Sequence, residues 1–438
     1  MLTILDWQTL DQTGRDQALA RPASSTSERL SHDVAAIVAR VRADGDAALM
    51  EFARKFDGAA PEALRVPASE IASAADRLTG EQREALGNAR DNILAFHEAQ
   101  LPQSIEVATR PGVVCRRITR PIDAVGLYVP AGSAPLPSTT LMLAVPAAVA
   151  GCPRRVLVTP PRADGRADPS VLASAALTGI EEIYVAGGAQ AVAALAYGTE
   201  TVAPVDKIYG PGNAWVTEAK LQVASDPQGA ACDLPAGPSE VLVIADDSAL
   251  ADCVAADLLS QAEHGTDSQV LLVTVSEAMA RHVQAEVEQQ LARLPRSSIA
   301  AGALENSRIL LVRDLGQAVA VSNRYAPEHL ILAVEDAETL MGSVTAAGSV
   351  FLGHWTPESL GDYCSGTNHV LPTYGFARAF SGLGVEDFQR RITVQAASPE
   401  GLQQIGPTAV TLARLEGLEA HASAVEIRLK ALAGRSVA

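Results

Sequence analysis

The chain has 438 residues, 48% of them hydrophobic, and a formal net charge of −17. That is more chain than one core of about 100–200 residues needs, so two or more domains are expected. The negative charge argues against nucleic acid or an anionic membrane as partner, and no run of about 18 apolar residues is there to span a bilayer.

The segment MLTILDWQTLDQTGRDQ lacks a basic region and a cleavable hydrophobic stretch, which predicts a cytoplasmic location. Cys115, Cys152, Cys232, Cys253 and Cys364 are scattered, odd in number and without a CxxC, as reduced cytosolic thiols would be.

The first 110 residues read as helical. Val34, Ile37, Val38 and Val41 mark a helix from His32 to Ala43, and Asp44-Gly45-Asp46 interrupts it. A second runs from Asp46 to Phe56 and a third from Glu81 to Gln100, stopped by Pro102. His32 and His97 are expected at the surface or in caps.

From Val113 short β-branched runs alternate with helical stretches. Strands are expected at 155–159, 182–186, 205–209, 241–245, 270–275, 308–312, 330–334 and 349–352. All but the last lead into a helix, which implies parallel sheets covered on both faces. About ten strands strain one twisted sheet, so two sheets are expected, with a seam in the Pro- and Gly-rich stretch 233–240. The last fifty residues return to helix, at 407–416 and 418–433. Leu418, Ala422, Val425 and Leu429 form the stripe of the second, with His421 at its edge.

Five places can carry chemistry. In the helix predicted from Ser248, Leu250, Val254 and Leu258 form an apolar stripe, and its next positions are Gln261 and His264. That face serves either a ligand or metal, or a helix end reaching solvent with Gly265 as cap; Glu263 projects to the other side. Gly187-Gly188-Ala189-Gln190 and Gly210-Pro211-Gly212-Asn213 each link a strand to a helix, where backbone N–H groups can meet an anion. Neither is a GxGxxG, and plain turns use such glycines too. Ala326-Pro327-Glu328-His329 sets a carboxylate beside an imidazole where a helix gives way to a strand, suited to base chemistry or to a solvated loop. Gly361 to His369 is a polar loop in which Asp362 or His369 can bind metal or backbone. No HExxH or paired CxxC is present, so a zinc site must gather ligands from distant segments.

Taken together, Ala124-Val-Gly-Leu-Tyr-Val-Pro-Ala-Gly132, Tyr209-Gly-Pro-Gly-Asn213, Ala236-Gly-Pro-Ser-Glu240, Ser260-Gln-Ala-Glu-His264, Ala326-Pro-Glu-His-Leu330 and Leu383 to Arg391 resemble the histidinol dehydrogenase family over nearly the whole chain. The resemblance implies a zinc-dependent, NAD-linked oxidation of L-histidinol to L-histidine through L-histidinal. Gln261, His264, Asp362 and His421 match the family's zinc ligands, one ion per subunit. Glu328 and His329 match its catalytic pair. Ser239, Glu416 and His329 match substrate contacts, beside the ligands Gln261, His264, Asp362 and His421. Tyr128, Gln190 and Asn213 match residues that meet NAD.

The fold implied is α/β, with two Rossmann-like parallel-sheet domains, a helical N-terminal segment and a helical C-terminal tail. The expected divisions are an arm at 1–25, a first domain from 26–127 and 238–382, an inserted NAD-binding domain at 128–237, and a dimerising tail at 383–438. The family's intertwined homodimer would let Glu416 and His421 complete the neighbour's site. Pro235 and Tyr374 depart from the family pattern without touching those positions. Competing readings are a relative that oxidises another small amino or sulfonated alcohol, a zinc hydrolase using Glu328 or Glu263, and a non-catalytic zinc-stapled dimer.

Overall fold

The computed structural model describes residues 2–22, 28–59, 61–131, 134–234 and 237–435. Gly132, Pro235, Ala236 and the expected arm boundary at 25 lie outside the described residues. In chain order the described strands are β1 (Thr3–Asp6), β2 (Ile105–Arg110), β3 (Val113–Pro121), β4 (Ala124–Tyr128), β5 (Arg154–Thr159), β6 (Glu182–Val185), β7 (Lys207–Tyr209), β8 (Ala231–Cys232), β9 (Glu240–Ala245), β10 (Gln269–Thr274), β11 (Arg308–Leu311), β12 (His329–Ala333), β13 (Ser349–Leu352) and β14 (Gln389–Ala397).

Two of the sheets are parallel. One runs β1-β11-β10-β9-β12-β13 and the other β6-β5-β4-β7-β8. Alternate residues of one strand enter opposite cores: Val241, Val243 and Ala245 join one cluster, Leu242 and Ile244 another. Every residue of β9 and β10 is buried, which is why these strands read as unbroken apolar runs. Among the described residues no helix is long and apolar enough to cross a membrane.

The chain folds as two compact units, residues 1–100 with 122–388, and 101–121 with 389–438. The second unit holds the antiparallel sheet β14-β3-β2 and two helices, Pro399–Leu415 and Glu419–Arg435. These helices pack where Gly406 leaves room; a Cβ there would lie 3.1 Å from Val425 and 3.2 Å from Leu429.

Several expectations change. The N-terminal segment is helical over Gln12–Ala18, but Thr3–Asp6 form β1, paired in parallel with Arg308–Leu311. The expected boundary at 127/128 cuts through β4, which pairs with β5 along its length. The expected tail start at 383 precedes Val385 and Phe388, which are fully buried in the first unit; Phe388 stacks on Tyr209 at 4.1 Å. His97 is buried, not superficial, with Nδ1 2.7 Å from the Ile93 carbonyl. His32 is exposed. Gly45, at φ 53° and ψ −129°, breaks the helix Glu28–Phe52 where Asp-Gly-Asp predicted an interruption.

Candidate active site

Both glycine turns stand at helix starts in the five-stranded half. The helix Gly188–Tyr197 follows β6, and Ala214–Ser225 follows β7. Gly210 has φ 121°, and a Cβ there would lie 2.1 Å from the Tyr128 carbonyl oxygen. Only glycine fits that conformation and that approach. The turn is also gripped from below: Asp233 accepts the Gly210 N–H at 2.7 Å, and Lys220 donates to the Gly210 carbonyl at 2.9 Å while pairing with Asp233.

Tyr128 closes β4, is buried, and accepts the Gly188 N–H on its hydroxyl at 3.1 Å; burial pushes its pKa up to about 12, so it stays a neutral phenol. Gln190 is buried in the first turn of its helix. Asn213 is exposed and caps the next helix, accepting from the Trp215 and Val216 N–H groups at 3.1 and 3.2 Å. Gly210→Ala is expected to cost at least about 1–3 kcal/mol from strain alone. Thermal unfolding checks it.

The second site lies at one end of the six-stranded sheet. The helix Leu315–Tyr325 stops at Ala326, whose φ of 54° is left-handed, and Pro327 prevents resumption. This bend delivers Glu328 and His329 to the head of β12, between β9 and β13. Both are buried, so they are not a solvated loop pair, and β12 lies inside the sheet rather than at its edge. Glu328 Oε2 lies 3.5 Å from Nδ1 of His329 and accepts the Glu240 N–H at 2.8 Å. The same Nδ1 lies 3.1 Å from the Glu240 carbonyl. Among the described residues Nε2 of His329 has no hydrogen-bond partner, and it faces Asp362 Oδ1 at 3.4 Å. Burial opposes a charge on His329, yet the Glu328 and Asp362 carboxylates outweigh it and hold its pKa well above the usual value. Burial raises the pKa of Glu328, against the pull of His329.

Gln261, in the last turn of the helix Ala251–Ala262, is 1% exposed. With its amide nitrogen toward Glu358 it donates to both carboxylate oxygens, at 2.8 and 3.1 Å. The amide also lies 3.4 Å from His329 Nδ1. The helix begins at Ala251 rather than Ser248 and its C-cap is Glu263 rather than Gly265, so exposed His264 lies just beyond it. Asp362 sits in a short helix, Glu358–Tyr363, not in a loop. Its neighbour His369 is committed to structure, with Nδ1 2.8 Å from the Asp362 carbonyl and Nε2 3.1 Å from Thr139 Oγ1. Ser239 is half-buried at the entrance to β9. Glu416 and His421 are exposed in the second unit, at the end of one tail helix and in the first turn of the other.

Ligand atoms of His264, Glu358 and Asp362 lie within 4.8 Å of one another. An imidazole and two carboxylates suit a zinc-class cation. Burial pushes Glu358 up to about 8, while His329 pulls Asp362 below the usual range against burial. Sequence reading missed Glu358. Its signal was a carboxylate four residues before Asp362, on the same helical face.

Hydride transfer from an alcohol needs an acceptor site and a base beside the alcohol carbon. Glycine turns at helix starts and a buried carboxylate–imidazole couple answer those needs, and the class they define is an α/β oxidoreductase. A profile described as histidinol dehydrogenase matches residues 19–429. A histidinol dehydrogenase of Vibrio vulnificus is 56% identical over 430 residues, 98% of this chain and 99% of the relative. One of Xanthomonas euvesicatoria is 56% identical over 428 residues, again 98% and 99%. The crystal structure of histidinol dehydrogenase from Elizabethkingia anophelis has a TM-score of 0.94 and 45% identity, covering 98% of each chain. The chain belongs to the histidinol dehydrogenase family.

Proposed function

We propose that this chain oxidises L-histidinol to L-histidine through L-histidinal, with two NAD⁺ reduced per substrate, as a cytoplasmic enzyme of histidine biosynthesis. The observation that carries the reading is the buried Nε2 of His329, which has no hydrogen-bond partner among the described residues and faces Asp362, on a ring whose Nδ1 lies beside Glu328 and Gln261. His329 takes the alcohol proton as hydride leaves the carbon. Glu328 then takes a proton from the water that adds to the aldehyde, and a second hydride leaves the hydrated carbon. Buried Cys152 and half-buried Cys232, pushed by desolvation up to about 11 and 12, are poor nucleophiles for a thiol route.

NAD⁺ bound on the five-stranded half, at Tyr128, Gln190 and Asn213, would supply the hydride acceptor. A zinc ion held by Gln261, His264, Asp362 and His421 would anchor the substrate's amino and imidazole nitrogens and orient the alcohol carbon. Ser239 and Glu416 serve as further substrate contacts. Glu416 and His421 come from the neighbour in a homodimer with intertwined tails. That assignment is supported by their place in a separate unit and by the exposed Leu412, Leu415 and Ile427 on the tail helices.

The experiment is the count of NADH formed per L-histidinol consumed. A ratio near two is expected for the four-electron reaction; a ratio near one, with aldehyde released, refutes the second step. Glu358→Ala is expected to free the Gln261 amide and lower zinc affinity about 10–100-fold. Competition against a chelating dye reads this without recourse to turnover.

A further inference from the structure

We propose that Arg21 and Glu240, which need not touch substrate, are positioning residues for the Glu328–His329 pair; this rests on that pair being catalytic. Both polar groups of the Glu240 main chain are committed to it. Its N–H donates to Glu328 Oε2 at 2.8 Å, and its carbonyl lies 3.1 Å from His329 Nδ1. A small rotation at residue 240 therefore disturbs carboxylate and imidazole together.

What fixes residue 240 is its buried side chain. Arg21 grips it as a fork: Nη2 donates to Oε2 at 2.9 Å and Nε donates to Oε1. The Tyr374 N–H adds a third bond to Oε1, at 2.9 Å. The same guanidinium holds the chain that leads into Glu328. Its Nη2 donates to the carbonyls of Tyr325 at 2.9 Å and Ala326 at 3.4 Å, and it lies 3.9 Å from the Tyr325 ring centroid. Ala326 is the residue in the left-handed region, a conformation that persists only where its surroundings impose it. One cation thus ties the head of β9 to the bend before β12, and the pair stands between them. Arg21 is itself placed by its neighbours, since Gln269 donates to the Ala20 carbonyl at 2.9 Å and to the Asn306 carbonyl at 2.8 Å, while Tyr325 donates to Gln269 at 2.8 Å.

The bland alternative is an ion pair that serves folding only. A double-mutant cycle with His329 separates the two. Arg21→Met is expected to lower kcat for histidinol about tenfold with the KM for NAD⁺ unchanged, and in a His329→Asn background the further loss should shrink to less than about twofold. Arg21→Lys keeps the charge but loses the fork, and should run the same cycle with a loss of about fivefold; it serves where Arg21→Met does not fold. A kcat within twofold of the parent for both substitutions overturns the proposal. So does an equal loss in the two backgrounds, the signature of a purely structural role. If His329→Asn itself keeps full activity, the catalytic reading of the pair fails instead, and the two failures stay distinct.

Discussion

His329→Asn is expected to reduce kcat for histidinol by about 10²–10⁴-fold while the protein stays folded. The imidazole stands at the head of a buried strand with both neighbouring strands in register, so the sheet does not depend on it. Asparagine can keep a contact to the Glu240 carbonyl but has no nitrogen that accepts a proton at neutral pH. The electrostatics add a pH signature. A base must be neutral to act, and the Glu328 carboxylate beside Nδ1 holds the imidazole protonated to higher pH than usual. The rate is therefore expected to climb through a value above the ordinary histidine pKa of about 6.5 and to lose that limb in His329→Asn. Steady-state rates from about pH 5 to 10, a range that brackets that pKa, test both, with circular dichroism as the control. A variant within tenfold of the parent, or one with the same acidic limb, ends the assignment.

The parallel core was legible because burial on both faces leaves a local mark. β9, β10 and β12 are continuous apolar runs followed by helices, and their expected and observed limits differ by no more than one residue. The strands that escaped notice carry no such mark. β2 alternates only over Ile105, Glu106 and Val107, too short a run to announce a strand, and all six of its residues are exposed. β1 is four residues long, and its partner begins at Arg308, so nothing near it in sequence reveals the pairing. His97 does carry a signal of burial: Ala89, Ile93 and His97 repeat every four residues and all three are buried.

In the site, local pattern exposed the pieces but not their joints. Gln261 interrupted an apolar stripe, and Glu328 followed a proline beside His329. Nothing in the sequence says that Gln261 meets Glu358, nearly a hundred positions later, or that Arg21 clasps Glu240. Such pairings are set by which strands become neighbours. β9 lies beside β12 in the sheet although β10 and β11 come between them in sequence, and that crossover brings Glu240 against Glu328 and His329. The tail residues stayed opaque for another reason. His421 is exposed on its helix, and only the family resemblance gives it a part.

Glu328→Gln is expected to split the two oxidations. The amide keeps size and shape and can still accept the Glu240 N–H through its oxygen, so His329 should stay in place. What it loses is a basic oxygen. Removal of the alcohol proton by His329 should survive within about tenfold, whereas oxidation of L-histidinal, which needs a water deprotonated, should fall by about 10²–10⁴-fold. Burial that raises the Glu328 pKa makes it a stronger base than an exposed carboxylate, so the loss belongs toward the upper part of that range. Separate assays with histidinol and histidinal, each with NAD⁺ in excess, give the two rates. Histidinol should then yield closer to one NADH than two, with aldehyde trapped by a hydrazine reagent. Equal losses for both substrates would place Glu328 with His329 in the first step, as a group that holds the imidazole rather than one that activates water.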